Sequence, residues 1–207
     1  NDLIINELIF MEQQFMKTAF FDFDGVVVDT EPIYDIYWNE AGERYQTGIP
    51  NFASHIKGTT LPYILDKYFS DRSEEFKEMV TRESMDFEQK MPFPPVPGAM
   101  EFIHLLKGKG VKVGLVTSSD NAKLERAFRL LKLDNLFDTV VSADRITKGK
   151  PDPMCYQLAA SDLHVSPADC LVFEDSFAGI QAGTNAGMRV IGLSTTNSEE
   201  SLKDKVY

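Results

Sequence analysis

Residues 18–32 read Thr-Ala-Phe-Phe-Asp-Phe-Asp-Gly-Val-Val-Val-Asp-Thr-Glu-Pro. The apolar run up to Phe23 is too short for a helix and predicts a buried β-strand. From Glu31 to about Lys90 the β-branched runs disappear, and aromatic and acidic residues recur at helical spacing. Phe76, Met79, Val80 and Phe87 share one helical face, with Asp71 and Glu74 placed as cap and N3 partner. Met91-Pro-Phe-Pro-Pro-Val-Pro-Gly98 then carries four prolines in eight residues. Such a stretch cannot be helix and predicts a stiff linker.

Beyond the linker the texture alternates. A helix is predicted from about Ala99 to Lys109, stopped by Gly110, and a strand over Val111–Val116. A helix over Asn121–Leu131 puts Leu124, Ala127, Phe128 and Leu131 on one face. Thr139–Ser142 reads as a strand, and Pro153 opens a helix behind Asp152 as cap. Leu171–Phe173 is a strand, Phe177–Ala186 a helix ended by Gly187, and Arg189–Leu193 a last strand. Strands and helices in this order predict an α/β fold: a Rossmann-like parallel sheet with helices on both faces. The helical stretch then interrupts that core after its first strand. The expected boundaries are 17–31 and 95–207 for the discontinuous core and 32–94 for an inserted all-helical cap, with 1–16 as an N-terminal extension.

The whole chain has 207 residues, with 21 basic and 32 acidic side chains and a net charge of −11. That length suits one core plus an insertion. So negative a field argues against nucleic acid and anionic membrane as partners. It still permits a small anionic substrate, because a metal ion or a few cations can reverse the potential inside one cleft. The two cysteines, Cys155 and Cys170, are too few for a disulfide scaffold and form no zinc pattern. No apolar run reaches the length of a membrane span. Residues 1–16 carry Asp2, Glu7 and Glu12 and no basic segment, which does not fit a signal peptide, and Met11 or Met16 is a candidate start. A cytoplasmic protein is expected.

In open α/β sheets, ligands bind beyond the carboxyl ends of the strands. The first predicted strand runs into Asp22-Phe-Asp24-Gly25, the next into Thr117-Ser118-Ser119, and the fourth into Glu174-Asp175-Ser176. A loop between them holds Lys148-Gly-Lys150-Pro-Asp-Pro. Each has an ordinary explanation alone: a turn, a helix cap, a solvated lysine, compensation of a helix dipole. Four of them in one order at the ends of one predicted sheet are better explained together. Hard oxygen ligands suit magnesium, and lysine with hydroxyls suits phosphate oxygens.

DFDGVVVDTEP, the strand ending in VTSS, KGKPDP and VFEDSFAGIQAGTNAGM resemble the four motifs of the haloacid dehalogenase superfamily. The resemblance is strongest to its branch of β-phosphoglucomutase-like phosphatases and mutases, and spans nearly all of residues 17–194. It implies a magnesium-dependent enzyme that forms an aspartyl-phosphate. Asp22 would be the nucleophile and Asp24 the general acid and base. The spacing agrees, since residues i and i+2 of a strand face one side. Asp22, the carbonyl of Asp24, Asp175 and, as ligand or close neighbour, Glu174 would hold Mg2+. Thr117 and the amide of Ser118 would bind phosphoryl oxygens, and Lys150 would neutralise charge, with Lys148 its competitor. The resemblance also implies a substrate-facing cap loop at Lys57 and Gly58, with Glu31 near the hinge. Trp38 is read as packing.

The resemblance departs at two places. True β-phosphoglucomutases carry an arginine shortly after the Lys-Gly pair, where this chain has Leu61. They carry a histidine soon after the first motif, where this chain has Tyr34. Without the guanidinium fork a mutase loses a bidentate grip on a second phosphate; Arg72 and Lys67 are the cations left to replace it. A monomeric phosphatase of small phosphorylated sugars or polyols is therefore expected, with β-phosphoglucomutase as the alternative.

Overall fold

The computed structural model describes residues 17–56 and 61–203. The chain divides into two compact units, one made of the residues up to Asp29 and from Pro94 onward, the other of Thr30–Phe93.

In chain order, strand β1 (Thr18–Phe21) leads to four helices: α1 (Glu31–Arg44), α2 (Phe52–Ile56), α3 (Leu61–Tyr68) and α4 (Glu74–Glu88). The chain then returns with α5 (Ala99–Gly108), β2 (Lys112–Val116), α6 (Asn121–Leu131), β3 (Thr139–Val141) and α7 (Met154–Asp162). It finishes with β4 (Cys170–Glu174), α8 (Phe177–Asn185), β5 (Arg189–Gly192) and the short α9 (Glu199–Leu202). The five strands are all parallel in the order β3-β2-β1-β4-β5.

The first strand is thus the centre of the sheet, with all four residues buried. This explains its continuous apolar run, since both faces are covered. Phe20 packs on one side with Tyr156, Val172, Ile180 and Val190. Phe21 points to the other, where its ring stacks on Phe173 at 4.6 Å and meets the edge of Phe102 from α5. The Asp120 carboxylate caps α6 by accepting from the Lys123 amide at 2.8 Å. Among the described residues no helix is long and apolar enough to cross a membrane.

The helical unit has its own core of Trp38, Ala41, Tyr45, Phe52, Ile64, Phe69 and Val80. Trp38 is buried there against Phe52, so it packs as expected. Leu61 and Tyr34 lean on the same core, and the Tyr34 hydroxyl donates to Glu88 at 2.9 Å.

Three local expectations are corrected. Ser73, not Asp71, caps α4: its backbone is extended, and its hydroxyl accepts from the Phe76 amide. Asp152 does accept from the Met154 amide at 3.0 Å, but from one position outside the cap, which is Pro153. The proline-rich stretch is more than a linker. Val28 forms an antiparallel bridge with Pro95, the Val96 amide donates to the Val27 carbonyl, and the Asp29 amide donates to the Pro94 carbonyl. Proline lacks a donor but keeps its acceptor, so the chain's exit and return are tied side by side.

Candidate active site

Asp22 follows β1 directly, and its amide donates to the Phe173 carbonyl of β4 at 3.0 Å. The chain then turns sharply at Gly25, whose φ is +78°, and the Val27 and Val28 amides return to the Phe23 carbonyl. A β-carbon at Gly25 would overlap the Asp175 carboxylate. Glycine is needed here for both backbone and space.

Lys150 organises the centre. Its ammonium lies 2.9 Å from Asp22 Oδ1, 2.5 Å from Glu174 Oε1 and 3.1 Å from the Val116 carbonyl. Glu174 is fully buried. Its Oε1 also accepts from the Tyr156 hydroxyl at 2.9 Å. Its Oε2 accepts from the Asp175 and Ser176 amides and the Ser176 hydroxyl. The Asp175 carboxylate accepts from the Thr196 hydroxyl, and its carbonyl from Asn197 Nδ2.

Asp22, Glu174 and Asp175 offer carboxylate oxygens that all lie within 4.8 Å of one another. Three buried carboxylates face one lysine, an excess of negative charge that burial makes costly. Burial pushes Asp22 well above the usual carboxylate range; Lys150 pulls it back, while Glu174 and Asp175 push it further up. Burial alone would lower the Lys150 ammonium, but Asp22 and Glu174 outweigh it and hold it above its ordinary value. A hard dication fits this all-oxygen set and would offset the surplus charge.

The other predicted residues sort by position. Asp24 is gripped on both oxygens by Lys123, at 2.7 and 2.8 Å, and on Oδ2 by the Ser119 hydroxyl at 2.8 Å. Thr117 is buried at the end of β2, where its hydroxyl oxygen accepts from the Ser119 amide at 3.0 Å, leaving its own hydrogen to donate. Ser118 beside it is exposed. Lys148 is exposed, 3.8 Å from Asp152, so of the two loop lysines Lys150 is the one built into the cluster. Glu31 sits in the first turn of α1 in the helical unit. Lys57 and Gly58 lie outside the described residues.

Sequence reasoning missed Lys123, Tyr156, Thr196 and Asn197, and quoted Ser119 without giving it a task. The one available signal was Ser119's place in the strand-end motif.

The chain matches the family model of haloacid dehalogenase-like hydrolases over residues 19–193. It is 33% identical to the phosphorylated carbohydrates phosphatase of Thermotoga maritima, covering 86% of this chain and 85% of that one. It is also 33% identical to the beta-phosphoglucomutase of Bacillus subtilis, covering 86% and 83%. A solved family IA hydrolase, variant 3, from Entamoeba histolytica superposes with a TM-score of 0.79 at 26% identity, over 91% of this chain and 89% of that one.

Proposed function

The chain belongs to the haloacid dehalogenase-like hydrolases, and from that premise we propose that it is a phosphatase of small phosphorylated sugars or polyols. The observation that carries the reading is the buried Asp22 carboxylate, 2.9 Å from Lys150, with Asp24 held separately two residues on. One carboxylate is thereby poised beside a fixed cation, and the other is kept for proton transfer.

In this reading Asp22 attacks phosphorus. The new bond is Asp22 oxygen to phosphorus, the bond that breaks is phosphorus to sugar oxygen, and Asp24 gives its proton to the leaving alkoxide. Asp24 then takes a proton from water, which attacks the aspartyl-phosphate and releases inorganic phosphate. Thr117 and the Ser118 amide hold equatorial oxygens, and Lys150 neutralises the charge spread over them. Asp22, the Asp24 carbonyl and Asp175 would hold Mg2+, with Glu174 beside them; the ion would supply charge neutralisation at the transferring group. Since both Glu174 oxygens already accept protein hydrogen bonds, Glu174 acts chiefly by holding Lys150. Residues 30–93 act as the cap that selects substrate, with Glu31, Lys57 and Gly58 as the residues proposed to do so. The enzyme works as a cytoplasmic monomer.

Identity does not separate phosphatase from mutase, because relatives named as each stand at 33%. The helical unit supports the phosphatase. Leu61 packs on its apolar core, Tyr34 is bonded to Glu88, and Arg72 donates to the Tyr45 carbonyl at 3.1 Å. The test is phosphate release from a panel of hexose, pentose and polyol phosphates with magnesium, beside interconversion of β-glucose-1-phosphate and glucose-6-phosphate. Net phosphate release without a need for a sugar bisphosphate is expected. Efficient interconversion that depends on glucose-1,6-bisphosphate, with little free phosphate, would make the chain a β-phosphoglucomutase instead.

A further inference from the structure

We propose that Lys123 is the positioning residue for Asp24: together with Ser119 it fixes the setting of the carboxylate that passes the proton. This rests on the role given to Asp24 above.

Lys123 lies in the first turn of α6, and its side chain is 7% exposed. That is an unfavourable place for a lysine. A cation at a helix N-terminus opposes the helix dipole, and a buried ammonium is costly unless paired. Packing alone would be served as well by an apolar side chain. The ammonium is instead aimed at Asp24, touching both oxygens at 2.7 and 2.8 Å. The Ser119 hydroxyl adds a third contact at 2.8 Å, to Oδ2. These partners are 95 and 99 positions from Asp24 in sequence, so the fold itself brings them there.

An aspartate's last torsion is broad, so its carboxylate turns easily when unheld. Proton transfer needs heavy atoms within roughly 2.6–3.2 Å. Two donor groups making three contacts to the two oxygens restrain that rotation. All three residues belong to the α/β unit.

The grip matters only for steps that use Asp24, which gives it a signature that a merely structural lysine lacks. The experiment compares kcat/KM of the full chain with magnesium on p-nitrophenyl phosphate and on the sugar phosphate the wild type hydrolyses fastest. The first ester's leaving group needs no proton; the second's does. Lys123→Met should lose roughly 10- to 100-fold on the sugar phosphate and stay within about threefold on the nitrophenyl ester. Lys123→Arg, which keeps paired donors, should recover most of the loss. In an Asp24→Asn background, Lys123→Met should add no further loss on the sugar phosphate. Equal losses on both esters, or no loss on the sugar phosphate, would overturn the proposal. If Lys123→Met does not fold, Ser119→Ala carries the same comparison, since it removes one contact and leaves no buried charge. It should fall several-fold on the sugar phosphate alone, and equal or absent losses there would overturn the proposal in turn. A wild-type chain that hydrolyses neither ester, or an Asp22→Asn chain as active as wild type, would defeat the reading of the site and this inference with it. An active wild type and a dead Asp22→Asn, without ester selectivity in Lys123→Met, would defeat the inference alone.

Discussion

Gly179 faces the Glu174 carboxylate so closely that a β-carbon on it would overlap both carboxylate oxygens and the carbon between them. Helix α8 crosses the end of β4 at this glycine. Glu174 is the group that holds Lys150, at 2.5 Å, so the contact links helix packing to the charge cluster. Gly179→Ala should therefore hurt twice. Alanine favours a helix by up to ~1 kcal/mol over glycine, yet overlap with a buried, fully bonded carboxylate costs roughly 1–3 kcal/mol. The expected outcome is a lower Tm together with a loss of activity, because Glu174 cannot retreat without moving Lys150. An alanine variant that is more stable and fully active would show that α8 has room to shift.

The parallel sheet was legible because each strand is a short apolar run bounded by turn residues, and because Asp22, Thr117 and Glu174 mark strand ends. The charge cluster was legible for the same reason: carboxylates stand just after apolar runs. Lys123 was not legible. A lysine one turn into an amphipathic helix reads as a solvated face, and only its 99-residue partner makes it an inward group. Tyr156 hid similarly, as one apolar position among several on α7. The cap at Ser73 was missed because Asp71 and Ser73 are both good cap residues; backbone geometry chose between them.

Asp22→Asn should abolish turnover while keeping the fold. The amide is no nucleophile, and a loss of at least about a thousandfold is expected. Lys150 keeps Glu174 and the Val116 carbonyl as partners, so no unpaired cation is left behind. Burial already disfavours charge at Asp22, and a neutral amide suits that environment. Tm should change by no more than ~3 °C. Substantial residual phosphate release in a purified, folded variant would rule Asp22 out as nucleophile.

Stability at low pH should report the pair formed by Asp162 and Arg145. The guanidinium donates at 2.8 and 3.0 Å to the two carboxylate oxygens, and Thr139 adds its hydroxyl. The Arg145 hydrogen bonds hold the carboxyl below its ordinary value; burial opposes them, and the Thr139 hydroxyl adds to the lowering. A depressed native value means that the stabilisation is complete above the unfolded value, near pH 4. It fades as pH falls through the lower native one. Asp162→Asn should thus lower Tm at pH 7, and the gap to wild type should close on acidification below about pH 4. A gap that stays constant between pH 7 and pH 3 would mean the charge is not what the pair contributes.

Magnesium should bind and calcium should fail to replace it in turnover. The oxygens of Asp22, Glu174 and Asp175 converge within 4.8 Å, and the single lysine among them leaves a surplus of negative charge. Either dication relieves that surplus, so both should raise the Tm of the wild-type chain in proportion to RT ln(1 + [ion]/Kd). Asp175→Asn removes one of the proposed ligands and should weaken the rise for both. Turnover is a stricter test. Calcium takes about six to eight oxygens at roughly 2.3–2.6 Å, against six at about 2.0–2.1 Å for magnesium. A larger shell would leave room for Asp22 to bind through both oxygens, and that would engage the one needed to attack phosphorus. Added calcium should therefore inhibit in competition with magnesium, and a chelator should remove activity reversibly. Full turnover in calcium or in chelator would remove the metal from the proposed chemistry, and a Tm unmoved by magnesium would remove it from the site.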